Sequence, residues 1–186
     1  MRDYIIMTDS CCDLSQQEVE ELELTVLPLS FTIEGKTLLN TPDHADMSPE
    51  EFFAKIAAGA DCTTAAANVG QFTDAMEKVL QEGKDILCVC FSSALSTTYQ
   101  SACIAAEDLR EKYPEAKILV IDSLSASRGQ GMLLYRAVRE RREKNLTIDE
   151  LDAYVRSIIQ SQCHWFIVDD LNHLKRGGRV SSTAAL

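Results

Sequence analysis

DILCVCFSSALSTTYQSA, residues 85–102, decides how the chain is read. After Asp85 its first part is apolar at every position and too short for an ordinary helix, the signature of a strand buried on both faces. The run stops abruptly in Ser92, Ser93, Ser96, Thr97 and Thr98. The residues that follow, TYQSACIAAEDLREKY, have the spacing of an amphipathic helix.

Working outward, the same alternation recurs on both sides. YIIM (4–7) precedes SQQEVEELE, and KILVID (117–122) precedes GQGMLLYRAVRERREK. Short apolar runs that feed helical segments are the rhythm of an α/β protein with a central parallel sheet flanked by helices. Helix-start signals agree with it. Asp13 or Ser15 caps a helix over 16–22, and Ser48-Pro49-Glu50-Glu51 sets a capping serine before a first-turn proline and two acids. Thr147-Ile148-Asp149-Glu150 has capping-box spacing before LDAYVRSIIQ. The helix after DCTTAAA begins near Val69 or Gly70. LTVLPLSFTIEGKTLLN reads as two short strands around a turn at Glu34-Gly35-Lys36. HWFIVDD (164–170) is the last strand expected, and LNHLKRGGRVSSTAAL ends in what reads as the start of a helix.

The 186 residues suffice for one substantial core, or for one domain and part of a second. A net charge of −11 repels a phosphate backbone, so nucleic acid is not an expected partner. The basic run RAVRERREK (136–144) has the spacing of a solvated helix face. Seven cysteines are an odd number, and Cys88 and Cys90 lie inside an apolar run, where reduced thiols act as small hydrophobes. A reducing cytoplasm fits this usage. The spacings provide no paired CxxC and His set for zinc, and no metal site is expected. No window approaches the roughly 20 apolar residues of a membrane span.

Three expected strands end in the same chemistry: MTDS (7–10), CFSSALS (90–96) and VIDSLSAS (120–127). The carboxyl ends of parallel strands face one crevice, and the helices that follow present free N–H groups there. Such a cup of hydroxyls suits a carboxylate or a phosphate, with Ser10, Ser92, Ser93, Ser96 and Ser123 as its members. The plainer reading is that each hydroxyl caps its own helix. DCTTAAANVGQF (61–72) adds Thr63, Thr64 and Asn68. A serine hydrolase lacks its GxSxG elbow here, yet His44 sits in a loop that could approach the crevice. Neither GxxxxGK[ST] nor GxGxxG is present.

TDSCCDLS (8–15), SSALSTTYQSA (92–102), VIDSLSASRGQG (120–131) and LNHLKRGGRVS (171–181), in this order, closely resemble the DegV family of bacterial fatty-acid-binding proteins. The resemblance implies a DegV-like α/β domain over 1–160 and the beginning of a second domain over 161–186, in a chain that stops where the family continues. It implies a non-catalytic carrier without cofactor, whose bound ligand is a long-chain fatty acid. The carboxylate would be held by Thr64 and Ser96, with Ser92 and Ser93 as neighbours. Ser10, Ser123, Arg176 and Arg179 are the further candidates for head-group or partner contact. A separate ATP-dependent fatty acid kinase would phosphorylate the carboxylate. Ala65-Ala66-Ala67 and Thr97 depart from the family pattern. An acyl tail left without its covering domain implies self-association or weak lipid binding. Two other readings stay open: a hydrolase or acyl-transfer enzyme using Ser93 or Ser96 with a histidine, and a module for a small phosphorylated ligand.

Overall fold

The structure, a computed structural model, describes residues 2–165, 167, 168 and 171–181, without the side chains of Asn172, His173 and Arg176. The chain runs through β1 (Tyr4–Asp9), a 3-10 turn (Ser10–Cys12), α1 (Gln16–Glu21), β2 (Leu24–Leu27), β3 (Leu29–Ile33) and β4 (Lys36–Asn40). It continues through α2 (Pro49–Ala57), β5 (Cys62–Ala65), α3 (Val69–Gln81), β6 (Asp85–Cys90), α4 (Thr98–Lys112) and β7 (Ile118–Asp122). Three helices follow, α5 (Ser127–Lys144), α6 (Ile148–Ile159) and α7 (Leu171–Arg176).

The parallel sheet has the order β2-β1-β6-β7. DILCVC is buried at every position because β6 pairs on both sides and is covered on both faces. Its side chains alternate between two cores, as a period of two requires. Leu87 and Val89 join Ile6 and Ile121 beneath α1, α5 and α6, where Leu133, Leu134, Leu151 and Val155 pack. Ile86, Cys88 and Cys90 join Met7 and Ile118 beneath α3 and α4. There Phe72 and Met76 supply bulk, whereas α4 offers Ala102, Ala105 and Ala106, whose small side chains let that helix lie close to the sheet.

Ser15, Ser48 and Thr147 cap their helices as read, with Pro49 in the first turn of α2. Region 23–40 holds three strands instead of two, because β2 completes the parallel sheet before Pro28 diverts the chain into a second sheet. That antiparallel sheet has the order β4-β3-β5. Its hairpin turns on Glu34 and Gly35, at φ of 50° and 76°, the left-handed pair that matches strand twist. β5 was not expected: CTTA has no apolar alternation and becomes a strand by pairing with β3. The strand expected over 164–170 is absent at the described residues 164, 165, 167 and 168, while 166, 169 and 170 lie outside them.

Gly131 sets how closely α5 meets the 3-10 turn. A Cβ there would lie 2.8 Å from the Cys12 carbonyl oxygen and 2.9 Å from a Leu14 methyl. Helix propensity alone would make Gly131→Ala stabilising by about 1 kcal/mol. The backbone clash reverses the sign, and urea denaturation should show a net loss of about 1–3 kcal/mol.

Candidate functional site

The chain leaves β1 toward β2 on one face of the sheet and reaches β6 on the other side of β1. This reversal opens a crevice between the carboxyl ends of β1 and β6, the usual place for a ligand in such a sheet. Asp9 spans it. Cys11 N–H donates to Asp9 Oδ1 at 3.1 Å and Phe91 N–H to Oδ2 at 2.7 Å. Behind them Gln130 Nε2 donates to the Thr8 hydroxyl at 2.9 Å, and that hydroxyl donates to the Val89 carbonyl at 2.8 Å. Thr8, Asp9 and Gln130 are all fully buried. Burial pushes the Asp9 carboxyl above its ordinary range, against the pull of the Phe91 and Cys11 N–H groups and the Gln130 amide.

The three residues that leave β6 have all committed their backbone donors. Phe91 N–H goes to Asp9, Ser92 N–H to the Ser125 carbonyl at 3.0 Å, and Ser93 N–H to Asp122 Oδ1 at 3.1 Å. This loop therefore differs from an anion cradle built of free N–H groups. What it turns toward solvent is side chains. Ser93 is exposed, and Ser96 is half-buried with its hydroxyl 2.8 Å from that of Thr98 and accepting the Thr98 N–H at 3.2 Å. Leu95 and Leu124 stand exposed on the two loops that follow β6 and β7.

The other sequence-predicted serines face inward. Ser10 accepts the Leu29 N–H at 3.0 Å and the Asn40 amide at 3.2 Å, which pins the second sheet to the end of β1. Ser92 is buried and accepts the Ala94 N–H at 3.3 Å. Ser123 accepts the Ser125 N–H at 3.1 Å within its own turn. Thr64 lies on β5, opposite Phe31 in the second sheet, and is exposed. Among the described residues no hydrogen bond links Thr64 to the serines: Ser93 and Ser96 share the loop after β6, whereas Thr64 stands in the second sheet.

Comparison with known proteins gives this architecture a lineage. The family model for the DegV family of uncharacterised proteins matches residues 4–186. This chain belongs to the DegV family. A DegV domain-containing protein of Clostridium perfringens is 40% identical over 185 residues, covering 100% of this chain and 63% of that protein. One from Lactococcus lactis is 39% identical over 183 residues, 98% of this chain and again 63% of the relative. The chain thus spans 63% of the length of these relatives, less than two thirds. Among solved structures, a fatty-acid-binding DegV protein of Thermus thermophilus is 30% identical with a TM-score of 0.82, over 98% of this chain and 62% of its own. A stearic-acid-binding protein from Eubacterium ventriosum is 26% identical with a TM-score of 0.83, over 98% and 64%.

Within this DegV chain the basic segment runs from the end of α7 into a turn at Gly177 and Gly178. Arg179 is exposed and its guanidinium folds back onto the Gly177 carbonyl, while the Arg176 side chain lies outside the described residues. Among the described residues, neither His164 nor His44 completes a catalytic set with Ser93 or Ser96. His164 Nε2 lies 3.1 Å from the Ser125 hydroxyl and 3.1 Å from Gln162 Nε2, and His44 is exposed on its loop. Gly129 allows this, because a Cβ there would fall 1.9 Å from the His164 ring. All seven cysteines are free, and burial pushes Cys12 up to about 11 and Cys11 higher still, so neither is poised as a thiolate nucleophile. Among the described residues no His, Cys, Asp and Glu grouping could hold a metal ion, and no helix is long and apolar enough to cross a membrane.

The sequence reading missed Asp9, Asp122, Ser125 and Gln130. Two of them carried a signal, an acid closing an apolar strand in IIMTD and LVID. Asp9 also makes a pH prediction. A carboxyl raised in the folded state favours folding while it is protonated, and that contribution is lost as pH rises through its folded pKa. The stability of the parent protein relative to Asp9→Asn should therefore fall as pH increases above the ordinary carboxylate range, measured by urea denaturation across pH.

Proposed function

We propose that this protein is a fatty-acid carrier whose ligand lays its carboxyl group on the outward hydroxyls of the loop after β6. The observation that carries the reading is the likeness to the fatty-acid-binding Thermus thermophilus protein, at 30% identity over 98% of the chain. Physical chemistry is in keeping with it. Each buried methylene of an acyl tail contributes about 0.8 kcal/mol, so the tail supplies affinity and a few hydroxyls suffice to orient the head. Thr64 and Ser96 are the proposed head-group contacts, with Ser93 beside Ser96, whereas Ser92 is turned inward and takes no part.

On this reading the protein performs no chemistry itself and presents the carboxyl group to a separate fatty acid kinase, in the cytoplasm. The region from 161 onward would begin the second domain that covers the tail. A phosphorylated ligand is less well served, because the Cys11, Phe91, Ser92 and Ser93 N–H groups that would receive it are already bonded within the protein. An acyl-enzyme mechanism would need a base beside Ser93 or Ser96, and among the described side chains His164 lies against Ser125 instead.

Mass spectrometry of lipids released on denaturing the purified protein tests the carrier reading. Fatty acid near one equivalent is expected, falling by about tenfold or more in Thr64→Ala combined with Ser96→Ala, since two oriented hydrogen bonds are lost. A protein that stays empty after incubation with long-chain fatty acids would refute it.

A further inference from the structure

Asp122 ends β7 directly beside Cys90, the last residue of β6. Its Oδ1 accepts two backbone donors from different loops, Ser93 N–H at 3.1 Å and Leu124 N–H at 3.1 Å. Leu124 needs that hold, because it sits at a φ of 48°, a left-handed conformation that a branched side chain disfavours. Ser93 needs it as well. The next residues close a tight turn on Ser92, with Leu95 N–H and Ser96 N–H both donating to the Ser92 carbonyl, so the direction of the Ser93 side chain follows from where its N–H is anchored. One carboxylate oxygen therefore yokes the two loops that border the cup.

We propose that Asp122 is the positioning residue of the head-group site: it sets the direction of the exposed Ser93 hydroxyl and holds the turn carrying Ser96, without itself touching the ligand. The inference rests on the carrier reading above. It makes head-group recognition depend on the place of an acceptor oxygen, and not on the charge that oxygen carries. A carboxylate near the cup would otherwise be expected to weaken binding of another carboxylate.

Two conservative variants separate place from charge. Asp122→Asn keeps an oxygen at the position of Oδ1 and removes the charge, whereas Asp122→Glu keeps the charge and moves the oxygen by one methylene. Binding of palmitic acid and of methyl palmitate would be measured for each, together with the melting temperature. The acid-to-ester affinity ratio should stay within about twofold of the parent in Asp122→Asn and fall about five- to tenfold in Asp122→Glu, the worth of one misdirected hydrogen bond. A merely structural role would weaken acid and ester together. An unchanged ratio in Asp122→Glu, or a ratio lost in Asp122→Asn and kept in Asp122→Glu, overturns the assignment. A parent protein that binds neither ligand strikes the carrier reading itself, and the Asp122 role falls with it.

Discussion

A carboxyl group buried where the strand order reverses is the constraint on which the rest of this structure turns. Removing Asp9 from water is costly, and the cost is partly offset because the Cys11 and Phe91 N–H groups each bond one of its oxygens. Those donors belong to the turn after β1 and the loop after β6, and Gln130 in the first turn of α5 is tied to the adjoining Thr8 hydroxyl. One side chain thereby ties together the elements that border the crevice. Were it turned outward, two backbone N–H groups at the edge of the core would lose their acceptor.

From that tie follows the chemistry available to a ligand. In many doubly wound sheets the N–H groups at such a crevice receive an anion from outside. Here Asp9 and Asp122 supply acceptors from within, and the Ser125 carbonyl takes the donor between them. The surface left over consists of hydroxyls and two exposed leucines, Leu95 and Leu124. Such a surface orients a polar head gently and leaves affinity to apolar contact, in keeping with an amphiphilic ligand. The second sheet enters through Ser10, whose hydroxyl holds both Leu29 and Asn40, so the position of Thr64 depends on a serine that is itself hidden.

Much of the scaffold was legible in the residues. DILCVCF reads as a buried strand because both of its faces are covered, and that burial demands apolar side chains throughout. Ser15, Ser48 and Thr147 announce their helices through local hydrogen bonds that reach three residues ahead, so neighbouring sequence suffices to find them. β5 was not legible, since CTTA has neither alternation nor length and its pairing with β3 supplies what its composition lacks. The HWFIVDD run misled for the opposite reason: apolar, β-favouring residues are necessary for a strand, yet without a neighbour to pair with they do not make one at the described positions.

The candidate site divides along the same line. That serines and threonines gather where strands end, and that the chain carries the motifs of its family, could be taken from the order of residues alone, because both are patterns along one dimension. Which hydroxyls face a ligand could not. Ser10, Ser92 and Ser123 look the same as Ser93 and Ser96 in the sequence, but they are turned inward by partners from Leu29, Ala94 and Ser125. Asp9 meets Phe91 across 82 residues, a separation at which no local rule applies. A hydrogen bond requires its partner within about 3 Å, and only the packed sheet brings such distant residues that close.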